Sequence, residues 1–334
     1  MKAEYFKHIL KFKRPGGTSR GVLLEKETFI LEISDDGKKG VGECAVFRGL
    51  SFDDRPDYEE KLQWLCENIR MDAGFLHEGL KEFPSIWFGY EQAVLNLRHG
   101  GKIYFPGEFT AGESPITING LIWMGNVDYM QEQIQDKLDQ GFHCIKLKIG
   151  VNWNAEYEVL QQLRQKFSKD VLELRVDANG GFTADEAKTV LQQLADLQIH
   201  SIEQPIKAGN HKEMAVLCAE TPIPIALDEE LIGIVDFNDK KLLLETLKPQ
   251  YIILKPSLVG GFSGSDEWIS LAENQNIGWW ITSALESNIG LNAIAQYTFT
   301  KKNPMPQGLG TGALFTNNFQ SDLDLRGELL YFKN

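Results

Sequence analysis

The run CIKLK, Cys144–Lys148, closes on a lysine after apolar residues, and it is the first of a series. LELRVD ends on Asp177, HSIE on Glu203, IPIALD on Asp228 and YIILK on Lys255. The intervals are 29, 26, 25 and 27 residues. A strand, a helix and two loops take about this much chain, so each step reads as one βα unit. The period continues to IGWWITS near Ser283 and PMPQGLG near Gly308, at intervals of 28 and 25. Counted from ITINGLIW, the series predicts eight parallel strands with intervening helices, which close into a (β/α) barrel. In such a barrel the residue at the carboxyl end of each strand faces a common mouth, where catalytic groups gather.

The residue types at those ends specify a chemistry. Asp177, Glu203 and Asp228 come from three consecutive strand ends, so their side chains converge and repel. A hard divalent cation such as Mg²⁺, with Mn²⁺ as a substitute, relieves that repulsion through all-oxygen ligands. Any one of these carboxylates alone reads as a solvated strand end; three at regular spacing do not. Lys146 and Lys148 are two apart in a strand and share a face, so each is expected to lower the other's pKa. A lysine so depressed serves as a general base. Lys255 approaches from the far side of the ring. A cation flanked by two amines suits proton abstraction next to a carboxylate, with the doubly negative enediolate neutralised by the metal, as in enolase-superfamily sites.

The bulk properties narrow the class. The 334 residues are enough for a barrel and a smaller unit, and 43% apolar with 24% charged residues is ordinary for a globular enzyme. A net charge of -13 argues against a nucleic-acid partner. No apolar run approaches the roughly 20 residues of a membrane helix, and MKAEYFKHIL has no signal-peptide core. The four scattered cysteines read as free thiols of a cytoplasmic protein. Nothing in the chain speaks to oligomeric state.

Residues 1–110 follow a different pattern. EYFKHILKF and VLLEKETFILEIS read as strands joined by a mobile loop, RPGGTSRG, and KKGVGECAV continues the sheet. In PSIWFGYEQAVLNLRHGG the stripe Ile86, Tyr90, Val94 and Leu97 predicts a helix stopped at Gly100 and Gly101. Strands followed by helices make an α+β unit. Further on, a helix is expected from Asn126 to Gln140, and Thr183 with Glu186 forms a capping box. GELLYFKN reads as a strand returning to the first unit.

Taken in order, KLKIG, RVDANGGF, IEQP, ALDEEL and LKPSLVGG resemble the muconate-lactonizing (mandelate racemase/muconate cycloisomerase-like) branch of the enolase superfamily. Within it, GECAVFRGLS, FPSIWFGYEQAVLNL, NGLIWMG, SALESNIGL and GLGTGALF are similar to the o-succinylbenzoate synthase family of menaquinone biosynthesis. The resemblance implies an α+β capping domain over residues 1–110, a catalytic barrel over 111–312 and a segment, 313–334, returning to the cap. It implies Asp177, Glu203 and Asp228 as Mg²⁺ ligands, Lys148 as base, Lys146 tuning it, and Lys255 stabilising the anionic ring across the substrate. Asn179, Ser283, Glu286, Gly308 and Gly310 are implied for the substrate, a small carboxylate. No organic cofactor is implied. ALDEEL departs from the DES common in the branch, so Glu230 takes no role from it.

The implied reaction is dehydration of 2-succinyl-6-hydroxy-2,4-cyclohexadiene-1-carboxylate to 2-succinylbenzoate. An N-acylamino acid racemase or a dipeptide epimerase would use the same two lysines. PQGLGTGALF lacks the acidic residues with which some epimerases hold a substrate amine. A non-catalytic binding barrel would be expected to lose at least one of the five charged positions, and none is lost. The segments RPGGTSRG and CAVFRGLSFDD are the candidate cover over the mouth, with Arg20 or Arg48 for a second substrate carboxylate.

Overall fold

A computed structural model describes residues 1–18 and 21–333. Strands β1 (Lys2–Thr18), β2 (Gly21–Asp35) and β3 (Lys38–Cys44) form an antiparallel sheet in that order. Phe29, Leu31 and Ile33 alternate along β2 and share an apolar cluster with helices α1 (Tyr58–Asn68), α2 (Ala73–Leu80) and α3 (Pro84–His99). This period of two lets one strand face supply the floor on which the helices pack. Helix α3 lies backbone to backbone on β3. A Cβ at Gly40 would stand 2.1 Å from the Ala93 carbonyl oxygen, and one at Gly42 would stand 2.0 Å from that of Gly89.

The stretch read as a mobile loop is largely strand. β1 pairs with β2 from Lys2↔Ser34 to Lys11↔Glu25, shifts register, and resumes from Gly16↔Leu23 to Thr18↔Gly21. Pro15, which has no N–H for a ladder, falls inside the shift. The rest of RPGGTSRG extends the hairpin as an arm, except Ser19 and Arg20, which lie outside the described residues.

The barrel begins after β4 (Ile116–Thr117) with β5 (Gly120–Ile122), then alternates: α4 (Val127–Asp139), β6 (Cys144–Lys148), α5 (Trp153–Lys166), β7 (Glu173–Asp177), α6 (Ala184–Asp196), β8 (Ser201–Glu203), α7 (His211–Glu220), β9 (Ile225–Leu227), α8 (Phe237–Leu247), β10 (Tyr251–Leu254), α9 (Gly261–Asn274), β11 (Gly278–Ile281) and α10 (Asn288–Thr300). Strands β5 to β11 form one parallel sheet in sequence order. The Thr183–Glu186 capping box is present at α6, and Asn126 caps α4 by accepting from the Tyr129 N–H.

The sheet has seven strands, not the eight counted from the sequence. PMPQGLG closes the ring through single parallel bridges, Ile118↔Gln307 on one side and Thr282↔Gly308 on the other. Pro304 and Pro306 have no N–H to give, so the ladder shrinks to Gln307 and Gly308. Gly308 is required there, because a Cβ would lie 2.2 Å from Thr282 Oγ1.

The tail divides its contacts. Residues 314–317 run along β1: Lys13 N–H donates to Leu314 O at 2.8 Å, and Thr316 N–H to Lys11 O at 2.8 Å. The hairpin β12 (Leu323–Arg326) and β13 (Leu329–Phe332) then pairs with β4 rather than with the cap sheet. Glu328 accepts from the His143 N–H at 2.9 Å, placing the hairpin at the end of the barrel away from the mouth. There it covers the edge that β4 would otherwise expose.

Cap and barrel are also joined by Glu91 of α3. Its carboxylate accepts from the Phe262 and Ser263 N–H groups at 2.6 and 3.1 Å, at the start of α9. Burial outweighs these bonds and pushes the carboxyl up to about 7, from an ordinary 4.5. Folding therefore favours the protonated form. That stabilisation is complete below pH 4.5 and is lost as pH rises through 7. Between pH 5 and 8, wild type is expected to lose about 2–3 kcal/mol more unfolding free energy than Glu91→Gln. Urea unfolding at both pH values measures this, and parallel losses in the two proteins would contradict it.

Candidate active site

Register assembles the site. Lys148 of β6 pairs with Asp177 of β7, and Asp177 with Glu203 of β8, so the three form one row at the strand ends. Asp228 follows β9 and Lys255 follows β10 at the same mouth. Lys146 and Lys148 point inward together, while Ile145, Leu147 and Ile149 are fully buried in the apolar core. That division follows from the two-residue period of a strand.

Each carboxylate lies against a lysine. Lys146 Nζ is 2.7 Å from Glu203 Oε2 and 3.4 Å from Asp177 Oδ2. Lys148 Nζ is 2.9 Å from Asp177 Oδ2 and donates to Asn179 Oδ1 at 2.7 Å. Lys255 Nζ bonds Asp228 Oδ2 and stands 3.9 Å from Glu203 Oε1.

These contacts overturn one sequence expectation. Burial acts to lower the Lys146 ammonium, yet the Glu203 and Asp177 carboxylates outweigh it and hold the pKa above its usual value. The paired lysines were expected to depress each other; the carboxylates between them are nearer and decide the sign. Lys255 is held far above its ordinary range: Asp228 and Glu203 overcome the opposing effect of burial. Burial alone would raise Asp177, but Lys148 and Lys146 keep it well below the carboxylate range. Glu203 is raised to about 7 by burial and by the neighbouring Asp177. Asp228 is raised, chiefly by burial.

The mouth opens into a pocket. Of the expected substrate residues, Asn179, Ser283, Gly308 and Gly310 line it together with Lys146, Lys148, Asp177 and Lys255. Glu286 is not among the lining residues. Its carboxylate is fully buried and accepts from Ser257 Oγ and the Ala284 N–H, both at 2.6 Å. Of the candidate cover, Phe47 and Leu50 reach the pocket. Arg48 turns away to Glu27 and Asp54, and Arg20 lies outside the described residues.

Several residues at the site carry no sequence expectation. Glu229 lines the pocket and accepts from Asn179 Nδ2 at 3.1 Å. Gln204 accepts from the Asp228 N–H at 3.2 Å and donates to Glu230 Oε2 at 2.9 Å. Glu230 is buried and also takes the Gly209 N–H at 2.8 Å, so it braces the β8 and β9 ends from behind. The acidic triplet Asp228–Glu230 directly after an apolar run was the available signal. Leu121, Trp123 and Leu285 add an apolar wall, and Ser283 Oγ shares a hydrogen bond with Thr311 Oγ1 at 2.6 Å.

Among the described residues, no three acidic, histidine or cysteine side chains sit at joint metal-ligand spacing. The donor set nonetheless fits a hard divalent ion. Asp177 lines the pocket, Glu203 and Asp228 stand at the next two strand ends against Lys146 and Lys255 without lining it, and Glu203 Oε1 is buried without a hydrogen-bond partner.

Residues 129–327 match the family model described as enolase C-terminal domain-like. An o-succinylbenzoate synthase from Desulfotalea psychrophila is 44% identical, with 99% of this chain and 98% of that protein covered. The crystal structure of MenC from Desulfotalea psychrophila superposes with a TM-score of 0.90 at 41% identity, covering 99% of both chains. A substrate-liganded L-Ala-D/L-Glu epimerase from Bacillus subtilis gives a TM-score of 0.85 at 20% identity, covering 99% of this chain and 96% of that one.

Proposed function

The chain belongs to the enolase C-terminal domain-like family, and from its full-length likeness to a synthase we infer that it acts as an o-succinylbenzoate synthase. It is a hydro-lyase that dehydrates 2-succinyl-6-hydroxy-2,4-cyclohexadiene-1-carboxylate to 2-succinylbenzoate in menaquinone biosynthesis. The observation that carries this reading is the 44% identity along essentially the whole length of a synthase. The epimerase likeness, at 20% identity, speaks to fold alone.

Residues 1–110 serve as the cap and 111–312 as the catalytic barrel, with 313–334 bridging them. Asp177, Glu203 and Asp228 would hold Mg²⁺, which when bound supplies positive charge against the substrate carboxylate. Lys148 takes the proton beside that carboxylate and then returns it to the departing hydroxyl. Its hydrogen bond to Asn179 Oδ1 aims the amine along the pocket. Lys255, across the pocket, places a fixed positive charge against the anionic ring. Lys146, bonded to Glu203, tunes Lys148 from the same face of β6. Phe47, Leu50, Leu121 and Trp123 exclude water from one side of the ring, and Ser283, Gly308 and Gly310 offer polar groups at the other end. Aromatisation drives the water loss, so the residues need only stabilise the carbanion. The cysteines among the described residues are all unpaired, which suits a cytoplasmic enzyme.

The test sets two substrates against each other. Mg²⁺-dependent loss of the cyclohexadiene absorbance is expected, at a kcat/KM well above that for racemising an N-acyl amino acid, followed by optical rotation. The two lysines face one pocket, so a minor racemase activity is compatible with the reading. A kcat/KM ratio favouring the amino acid would reverse the assignment.

A further inference from the structure

One residue behind the barrel mouth touches the loops of all three candidate metal ligands. Gln204 directly follows Glu203. Its carbonyl accepts from the Gly180 N–H at 2.7 Å, in the loop after Asp177. Its N–H donates to Ala226 O at 2.9 Å, where the β8–β9 ladder ends. Past that point its side chain continues the link: Oε1 accepts from the Asp228 and Glu230 N–H groups at 3.2 and 3.3 Å. Gln204 is fully buried, and its φ of +40° lies in the left-handed region that residues other than glycine sparsely populate. Such a conformation persists only where the surroundings over-determine it.

Glu230, itself buried, supplies the other end of that hold. Its Oε2 accepts from Gln204 Nε2 at 2.9 Å, its Oε1 accepts from the Gly209 N–H at 2.8 Å, and His211 Nε2 stands 2.9 Å from Oε1. Gln204 Nε2 also donates to Ile206 O at 3.0 Å, so both ends of the amide are fixed. Donors thus meet Glu230 at both of its oxygens. A carboxyl group accepts at both in either protonation state. A carboxamide accepts at one atom only: whichever way it is turned, its NH2 would face the N–H of Gln204 or that of Gly209. Position 230 therefore requires a carboxyl group for a reason of geometry, independent of its charge.

We propose that Glu230 is a positioning residue for the divalent-cation site: by holding Gln204 from behind, it fixes the separation of Glu203 and Asp228. This rests on the reading of those two carboxylates as metal ligands. Glu230 is outside the pocket lining, and its carboxylate reaches the ligand loops through Gln204. Its effect is on how tightly the cation is held, because groups that orient metal ligands set affinity.

Calorimetric titration of the folded protein with Mg²⁺ reads the site without substrate, so the result stands whatever the reaction. Glu230→Gln is expected to raise the Mg²⁺ Kd by about 10- to 100-fold. In turnover it is expected to raise the Mg²⁺ concentration giving half the maximal rate by the same factor, with kcat at saturating Mg²⁺ near that of wild type. A purely structural role would lower the folded fraction, seen by circular dichroism, and leave the Kd of the folded protein unchanged. His211→Ala removes the other side chain on the same carboxylate and is expected to leave the Kd near the wild-type value. If Glu230→Gln fails to fold, Gln204→Met breaks the same link from the other side, since it keeps the length of the chain and removes the amide; it is expected to weaken Mg²⁺ as much. A wild-type Kd in a folded Glu230→Gln or Gln204→Met overturns the proposal and leaves the metal site standing. Equal weakening in His211→Ala also overturns it, because the effect would then belong to the start of α7 rather than to Gln204. Absence of Mg²⁺ binding in wild type would overturn the metal reading and the proposal with it.

Discussion

Lys148→Ala is expected to lower turnover of the cyclohexadiene substrate by about four orders of magnitude, with product still bound. The side chain lines the pocket, and its amine is held between Asp177 at 2.9 Å and Asn179 at 2.7 Å, so deletion removes the proton carrier and leaves the walls intact. Lys255 should fail differently. Lys255→Ala removes a fixed charge, costing about 3–4 kcal/mol of transition-state stabilisation, or some hundreds-fold in kcat. Lys255→Arg keeps the charge and cannot act as a base near neutrality. It is expected to retain part of the synthase activity while abolishing any racemase activity, which needs a second base. Single-turnover kinetics with both substrates, alongside product titration, separate the cases. Equal loss of both activities in a variant that binds product normally would make Lys255 a proton carrier in the main reaction.

Removal of divalent metal should abolish turnover, and Mg²⁺ should restore it. The motive is three carboxylates at adjacent strand ends, one with a buried oxygen that accepts no hydrogen bond. A second readout is independent of catalysis. A ligand that binds only the folded state stabilises it, by about 2.7 kcal/mol at a hundred times its Kd. The unfolding midpoint of wild type should therefore rise with Mg²⁺. In Glu203→Gln and Asp228→Asn the rise should shrink or vanish, because a neutral amide is a poorer partner for a hard cation. Full activity in excess chelator, or an equal rise in all three proteins, would remove these residues from the metal site.

Much of the candidate site is legible in the sequence alone. A buried parallel strand is a short apolar run, and a charged residue at its end stands out against that run. Asp177, Glu203, Asp228, Lys148 and Lys255 are found this way, and the βα period orders them around a ring. The helix stop at Gly100 and the Thr183–Glu186 box are equally local, since each depends on a few consecutive residues.

What the chain alone did not disclose depends on groups far apart in it. The eighth strand is spaced like the others, but its prolines leave only two bridging residues, and closure falls to Gln307 and Gly308. The RPGGTSRG segment has loop composition, yet pairing with β2 carries most of it into the hairpin. Glu286 reads as a pocket residue from its motif and turns instead to Ser257, because a buried carboxylate goes where donors are. The lysine pair reads as mutually depressed, but Lys146 lies 2.7 Å from Glu203, a partner 57 residues away. Strand-end identity is thus determined by sequence, because backbone periodicity places each side chain on a face. Orientation and charge state were decided by tertiary structure, because electrostatic interactions depend on distances that only the closed barrel and its cap establish.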